Sequence, residues 1–192
     1  MKRIFVALAS LAVLALSGTT ALADASQQDC AEAARLFRDA GESAAYFGNS
    51  YGYAIFPTIG KAGLGIGGAH GSGCVFAQGQ MVGTTKMTQL SFGWQAGAQG
   101  YSLIIFFEDQ RAFKEFTSGN FEFGAGVSAV AITAAASAEA STGGATASAS
   151  GGKKDAATLG GYRKGVAPFS IVKGGLMYEA ALSGAKFSYK KR

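Results

Sequence analysis

The residues that could carry out acid–base or nucleophilic chemistry in this chain are few and far apart. His70 is the only histidine, and Ser72 lies too close to it along the chain to be its obvious partner in a catalytic triad. We interpret His70 as a histidine in a solvent-exposed turn. The sequence contains no Cys/His cluster with zinc-ligand spacing, no paired-carboxylate motif of a glycosidase and no Walker A lysine. We therefore expect no enzymatic activity, no bound metal and no cofactor.

Residues 63–68 also match the spacing G-x-G-x-x-G of a dinucleotide-binding loop. Such a loop requires a helix that begins at its last glycine and an acidic residue about 20 positions further on. The residues after Gly68 are again rich in glycine and make a poor helix start. No Asp or Glu lies between Glu42 and Glu108. We interpret the match as incidental.

The same glycines indicate a close backbone contact. Gly63, Gly65 and Gly67 alternate with Leu64 and Ile66, and a period of two places successive residues on opposite faces of a strand. One face of this strand would carry no side chains, which usually means that another backbone or a helix lies against it. The alternative is a loop whose exposed N–H groups hold a phosphate.

The two cysteines, Cys30 and Cys74, are 44 positions apart. In an oxidising compartment they could form one disulfide bond, provided that the fold brings their Cα atoms within about 7 Å. Such a bond would tie the N-terminal helix described below to the glycine-rich strands. Two separately buried thiols are the alternative.

The first residues have the pattern of an export signal. A basic start precedes an apolar run, and Ala21-Leu-Ala23 has the small-x-small pattern of a signal-peptidase site. We expect residues 1–23 to be a cleaved signal peptide and residues 24–192 to form a single domain; an uncleaved anchor is the alternative. Thr19 stands where a lipoprotein would have its acylated cysteine. We therefore expect an exported protein that is not a lipoprotein and that, if bacterial, is periplasmic.

Charge is divided unevenly along the predicted domain. Residues 24–150 carry six Lys or Arg against ten Asp or Glu, whereas residues 151–192 carry nine against two. A basic segment of this kind attracts anionic partners, and we expect anionic lipid headgroups at a membrane surface and no nucleic acid. The alternative is a solvated face with a frayed tail, in which residues 190–192 would be disordered, so these three are not among the candidates. The candidate lipid-binding residues are Lys153, Lys154, Arg163, Lys164 and Lys173.

The elements that would position these residues form an α+β pattern. Residues 29–48 have apolar residues at three- and four-residue spacing, which predicts a helix with Asp29 as its N-cap and Glu32 completing a capping box. Residues 108–117 predict a short helix whose Phe113 and Phe116 contact the core. Strands are predicted at residues 63–68, 73–77, 80–85, 87–97, 100–107, 121–133, 166–172, 176–182 and 185–189, with a turn at residues 78–79.

Many short strands with little helix predict a glycine-rich, curved antiparallel sheet or partly closed barrel, with the two helices packed on it. The continuous apolar run at residues 101–107 predicts a strand that is buried on both faces. Residues 134–152 consist mainly of Ala, Ser, Thr and Gly and suit either a flexible loop or a strand on a narrow face. We favour a strand followed by a hairpin at residues 151–154.

Several short motifs together resemble the SYLF domain family, also called the Ysc84 actin-binding domain family. The motifs are Tyr53-Ala-Ile-Phe-Pro57, Lys61-Ala-Gly63 with the glycines up to Gly73, Gly93 with Gly97-Ala-Gln-Gly100, and Lys173-Gly-Gly-Leu176. Their order and spacing extend the resemblance from about Cys30 to Tyr189.

The resemblance implies lipid binding, since eukaryotic relatives bind phosphoinositides and some bind actin filaments. Bacterial relatives are commonly exported proteins or lipoproteins described as lipid-binding. This chain departs from them in lacking the lipobox cysteine and in its long Ala/Ser segment. Export would separate the protein from actin and phosphoinositides, so we expect phosphatidylglycerol, cardiolipin or lipid A phosphates as ligands. The alternative is a structural or protein-interaction module of the periplasm without a lipid ligand.

Overall fold

The computed structural model describes residues 24–124, 128–132, 161–173 and 180–192. Three predictions lie outside these residues: the signal peptide, the segment 134–152 with its hairpin, and the candidate ligands Lys153 and Lys154. The described elements, in chain order, are α1 Gln27–Asp39, α2 Gly41–Ala44, α3 Tyr46–Asn49, β1 Gly52–Ala77, β2 Gln80–Phe107, α4 Gln110–Thr117, β3 Phe121–Glu122, β4 Ser128–Ile132, β5 Val166–Lys173, β6 Ala180–Ala181 and β7 Lys186–Lys191.

β1 and β2 form one long antiparallel hairpin. Gln78 and Gly79 make the predicted turn between them with positive φ angles of 50° and 79°. The five strand segments predicted between residues 63 and 107 are therefore parts of only two strands. The pairing register shifts near each end of the hairpin and at Gly63, and such irregularities bend a strand pair without ending it. Glycine-rich stretches that resemble turns in the sequence are thus bends within continuous strands.

The remaining strands extend the hairpin into one curled sheet. Its order is β3-β7-β2-β5-β4-β6, and β1 pairs with β2 outside this path. Among the described strands every pairing is antiparallel except that between β4 and β5. β2 pairs with β7 near its start and with β5 near its end. The predicted α+β class is confirmed as a seven-stranded half-barrel with helices packed on it.

The end of β2 is buried on both faces, as its apolar run predicts. Leu103, Ile105 and Phe107 belong to a first core that also contains Phe116 of α4. Ile104 and Phe106 belong to a second core beneath α1. All of these side chains are fully buried. The sheet therefore separates two apolar layers, one covered by α4 and the other by α1.

The N-cap of the N-terminal helix lies three residues earlier than predicted, and the helix is interrupted at Ala40. Ser26, not Asp29, is the N-cap: its Oγ accepts a hydrogen bond from the Asp29 N–H at 3.1 Å. The Asp29 carboxylate accepts one from the Ser26 N–H at 3.2 Å, so Asp29 takes the place in the capping box that was predicted for Glu32. Ala40 has an extended backbone and is fully buried. This residue divides the predicted helix into α1 and the single turns α2 and α3.

A disulfide bond joins α1 to β1. Cys30 and Cys74 are bonded with their Cα atoms 6.2 Å apart, and both residues are fully buried. Of the two alternatives that the sequence leaves open, the structure has the disulfide bond. It holds α1 over the second core, where Phe37 of the helix packs among the buried residues of the sheet.

Glycines on β1 allow the two halves of the bent hairpin to touch. A Cβ atom added at Gly73 would overlap the Ile55 carbonyl oxygen and lie 2.8 Å from the Phe56 ring. One added at Gly71 would lie 2.8 Å from the Thr58 carbonyl oxygen. This is a close backbone contact of the kind that the alternating glycines predict, found at the end of their series. Gly63, Gly65 and Gly67 lie within β1 and pair with Gly97, Gly93 and Ser91 of β2. The close contact on their bare face stays a prediction.

The chain ends in a strand, so residues 190–192 are not the frayed tail of the alternative interpretation. β7 pairs with residues 83–88 of β2, and the Arg192 N–H donates to the Val82 carbonyl oxygen at 3.0 Å. The strand is anchored because Phe187 is buried in the first core and Tyr189 packs against it. The basic end of the chain is therefore part of the folded surface.

The predicted short helix is confirmed as α4. Asp109 caps it by accepting a hydrogen bond from the Ala112 N–H at 2.8 Å, and Phe116 is fully buried while Phe113 packs against the first core. Among the described helices, none has the length and apolar character needed to cross a bilayer.

Candidate functional site

The structure separates the three candidate lipid-binding residues that it describes. Arg163 and Lys164 are exposed in the turn before β5, where Lys164 and Gly165 have positive φ angles of 52° and 83°. Lys173 is the last residue of β5. At about 3.3 Å per residue it lies roughly 23 Å from the start of the strand. These three residues therefore do not form one binding site.

The turn that contains Arg163 and Lys164 is held against the residues between β2 and α4. The N–H of Glu108 donates to the Gly165 carbonyl oxygen at 2.9 Å. Burial, then a neighbouring tyrosine and Glu108, raise the pKa of Tyr162 to about 12. Arg111 also lies next to this turn, since its guanidinium would be 2.8 Å from a Cβ atom added at Gly165.

Lys173 lies on an acid-lined groove between α1 and the hairpin. The groove has a volume of about 590 Å³, and the Nζ atom of Lys173 donates to Thr58 Oγ1 at 3.0 Å. Hydrogen bonds from the side chain and backbone of Ser26 hold the pKa of Asp29 below its usual value, and the charge of Lys173 contributes. Asp24 and Glu32 also line the groove. Lys173 is therefore partly neutralised by carboxylates of its own chain.

His70 also lies on this groove, within β1 and opposite Thr88 of β2. It is half-buried, so the prediction of an exposed turn is wrong, because the glycines around it continue the strand. Within the described ranges, no group of three or more His, Cys, Asp or Glu side chains could hold a metal ion.

The most regular exposed surface is formed by β2 and β7. Alternate residues on both strands are exposed, and the residues between them on β2 are buried. Lys86 lies opposite Ser188, and Thr88 lies opposite Lys186. We call this surface the open face; its residues are Lys86, Thr88, Leu90, Lys186, Ser188 and Lys190.

Two carboxylates at the margin of the open face pair with its lysines. The Nζ atom of Lys86 is 2.8 Å from Asp24 Oδ1, and that of Lys186 is 3.6 Å from Glu122 Oε2. The hydrogen bond from Lys86, followed by its charge, holds the pKa of Asp24 below its usual value. All four side chains are at least half exposed. Ion pairs of this kind contribute little to stability and exchange readily for other anions.

The surroundings of the open face are also basic. Lys191 and Arg192 follow Lys190 and are exposed, and Nη1 of Arg192 donates to Gln27 Oε1 at 3.0 Å. With Lys86 and Lys186, this part of the surface holds five cationic side chains against the two carboxylates that pair with them. The resulting surface is positively charged.

The sequence prediction missed the open face. The alternation Lys-x-Ser-x-Lys at residues 186–190 can be read from the sequence and is typical of a strand with one exposed face. The sequence does not show which strand pairs with β7. Thr85 Oγ1 donates to the Ser188 carbonyl oxygen at 2.7 Å, across 103 residues of chain.

Comparison with protein families finds that residues 88–192 match the Ysc84 family, described as Las17-binding protein actin regulator. The matched residues include most of the open face and make up more than half of the chain. No curated protein matches the chain.

Proposed function

The chain belongs to the Ysc84 (SYLF) family of binding domains, and from this premise we propose that it is a non-enzymatic module that associates with anionic lipid headgroups through the open face. Membership in the family supports a lipid- or protein-binding role in general. The choice of anionic lipid, and of this surface, is our proposal.

The observation that carries the proposal is the arrangement of lysines and hydroxyl groups on the open face. Lys186 and Lys190 lie on the same side of β7 with Ser188 between them, and Lys86 lies opposite Ser188. Phosphate oxygens accept charge-assisted hydrogen bonds from ammonium groups and further bonds from hydroxyls. The open face presents both kinds of donor side by side.

The expected binding energy is electrostatic and modest. A lysine close to an anionic membrane surface contributes about 1 kcal/mol, so the three lysines would contribute roughly 3 kcal/mol. This attraction falls off over about 10 Å at 0.1 M ionic strength. The exposed ion pairs with Asp24 and Glu122 oppose it only weakly, because solvent screens ion pairs at an exposed surface.

The predicted export signal indicates the cellular compartment in which the protein would bind lipid. If residues 1–23 are removed during export, the protein would act in the periplasm, where phosphatidylglycerol, cardiolipin and lipid A phosphates are the anionic headgroups. Actin would not be a partner there. Fractionation of cells that express the full chain tests this: we expect a periplasmic protein whose first residue is Asp24.

Sedimentation with vesicles tests the lipid proposal. Phosphatidylcholine vesicles with increasing phosphatidylglycerol content should bind the wild-type protein increasingly well. The double variant Lys186→Gln/Lys190→Gln should bind roughly 30-fold more weakly, because two contributions of about 1 kcal/mol are lost. The matched control is Arg163→Gln/Lys164→Gln, which removes the same charge at the turn before β5 and should bind nearly as the wild type does.

Three results would contradict the proposal. Equal binding to neutral and anionic vesicles would exclude the electrostatic mechanism. A larger loss in Arg163→Gln/Lys164→Gln than in Lys186→Gln/Lys190→Gln would move the binding surface to the turn that the sequence predicts. If the wild type binds no vesicles at all, the protein-interaction role is favoured.

A further inference from the structure

A shallow apolar depression adjoins the open face where the hairpin bends. It has a volume of about 660 Å³. Both halves of the hairpin line it: Gly60 and Ala62 come from the first half of β1, Gly68 and His70 from the second half, and Leu90 from β2. The depression is therefore a product of the bend and does not exist in either half alone.

Three residues that line the depression are glycines without side chains, and we call Gly60, Gly68 and Gly100 its glycine floor. A Cβ atom added at Gly60 would meet no other atom within 4 Å, and the nearest atom to one added at Gly68 would be the Gln89 carbonyl oxygen at 3.5 Å. Gly100 lies opposite Gly60 in the pairing of β1 with β2. Glycine has no side chain to fill the space above these positions, and no side chain of a described neighbour fills it either.

Leu90 lies at the edge of this depression and is 74% exposed. Among the described residues, the one other exposed large apolar side chain is Leu36, which is 46% exposed and lies on the acid-lined groove. A single exposed leucine is ordinary on a protein surface. A leucine that borders an open apolar depression forms a continuous apolar surface, and this is the kind of surface that a binding partner covers.

The charges around the depression specify the class of partner. Leu90 is on the same face as Lys86, and Thr88, which also lines the depression, lies opposite Lys186. Lysine side chains can lie along apolar surface while their ammonium groups remain at the level of the headgroups. An exposed leucine beside several lysines is complementary to an anionic bilayer, because the acyl region of the bilayer lies directly beneath its layer of phosphate groups.

Building on the proposed function, we propose that Leu90 and the depression form the membrane-penetrating point of the protein. Leu90 enters the acyl region of an anionic bilayer, and an acyl chain of one bilayer lipid covers the glycine floor. The phosphates remain at Lys86 and Lys186. Binding then has an electrostatic part that salt weakens and an apolar part that salt does not weaken.

Vesicle sedimentation at low and high salt tests this inference, with Leu90→Ser as the variant. On phosphatidylglycerol-containing vesicles we expect Leu90→Ser to bind about tenfold more weakly than the wild type, because the leucine no longer transfers from water to the acyl region. In high salt the wild type should keep measurable binding and Leu90→Ser should lose it. Since Leu90 is exposed, Leu90→Ser should unfold at the same temperature as the wild type.

Leu36→Ser is the matched control, because it removes the other exposed leucine from a surface that faces carboxylates. It should bind as the wild type does, and Leu90→Met should also bind normally because it keeps an apolar side chain of similar size. Equal binding of Leu90→Ser and the wild type, or an equal loss in Leu36→Ser, would overturn the inference.

Comparison of the leucine and lysine variants on neutral and anionic vesicles distinguishes this inference from the proposed function. If Leu90→Ser weakens binding to neutral and anionic vesicles alike, and Lys186→Gln/Lys190→Gln has no effect, penetration is supported and the headgroup mechanism fails. A short-chain phosphatidylglycerol, used below its micelle-forming concentration, tests whether the protein binds a bilayer surface or a single lipid molecule. If this monomer binds the wild type but not Leu90→Ser, and blocks vesicle binding, the occupant is a single lipid and penetration of a bilayer is wrong.

Discussion

Tyr101 is the most unusual single residue of the core. It is 1% exposed, and its hydroxyl group has no hydrogen-bond partner within the described ranges. Burial raises the pKa of Tyr101 far above its usual value, so the phenol stays protonated. A buried hydroxyl without a partner has lost its bonds to water and gained none in return, which destabilises the folded state.

We therefore expect Tyr101→Phe to raise the free energy of unfolding by about 1 kcal/mol, measured by urea denaturation at neutral pH. Tyr189→Phe is the control, because the Tyr189 hydroxyl donates to the Val82 carbonyl oxygen at 3.1 Å. Loss of that bond should lower the free energy of unfolding by about 1 kcal/mol. If Tyr101→Phe is the destabilising variant, the hydroxyl has a partner such as a buried water molecule.

At the scale of elements, the bent β1–β2 hairpin determines the shape of the molecule. Its two halves touch through Gly71 and Gly73, where the backbone of the first half occupies the space that a side chain would need. Each half pairs with different strands, β7 on one side of the bend and β5 on the other. The bend thus places the open face, the depression and the two cores relative to one another.

This contact predicts that Gly73→Ala is strongly destabilising. The added Cβ would overlap the Ile55 carbonyl oxygen, and overpacking typically costs about 1–3 kcal/mol, with the upper part of this range expected because backbone cannot rotate away. Gly60→Ala is the control, since no atom of the described residues lies within 4 Å of its added Cβ; it should leave stability within about 0.5 kcal/mol. Thermal unfolding compares the two variants, and equal melting temperatures would contradict the close contact.

Local patterns predict some of these elements well and others poorly. The turn at Gln78-Gly79, the doubly buried end of β2 and helix α4 depend on neighbours in sequence, and all three are confirmed. The N-cap was predicted at the wrong residue because Ser26 and Asp29 form one capping box, and Asp29 is its second member. The break at Ala40 follows from burial of that residue against the sheet, which no local pattern contains.

At the scale of the whole molecule, the disulfide bond fixes α1 to the sheet. Cys30 and Cys74 close a loop across 44 positions and are buried in the second core. A bond of this span stabilises mainly by restricting the unfolded chain, by roughly 3–4 kcal/mol in the chain-entropy model. α1 also covers the apolar residues of the sheet on that side, so its attachment shields a large apolar surface.

We expect Cys30→Ser/Cys74→Ser to lower the free energy of unfolding by roughly 3–4 kcal/mol in urea denaturation without reductant. Adding a dithiol reductant to the denaturation should destabilise the wild type by a similar amount and leave the double variant unchanged. Complete reduction is verified by thiol titration. If it leaves the free energy of unfolding of the wild type unchanged, packing of α1 alone holds the helix in place.

The sequence by itself determined the family, the α+β class and the apolar run of β2, because each of these follows from residue types at short or regular spacing. It also showed that the C-terminal segment is basic. Only the tertiary structure decided which of those charges act together. Pairing of β7 with β2 across 103 residues aligns Lys86 with Ser188 and Lys186 with Thr88, while β5 separates Arg163 from Lys173 by its whole length. Charge along a chain is a property of a segment, whereas a binding surface depends on strand register and on which face of the sheet is left uncovered.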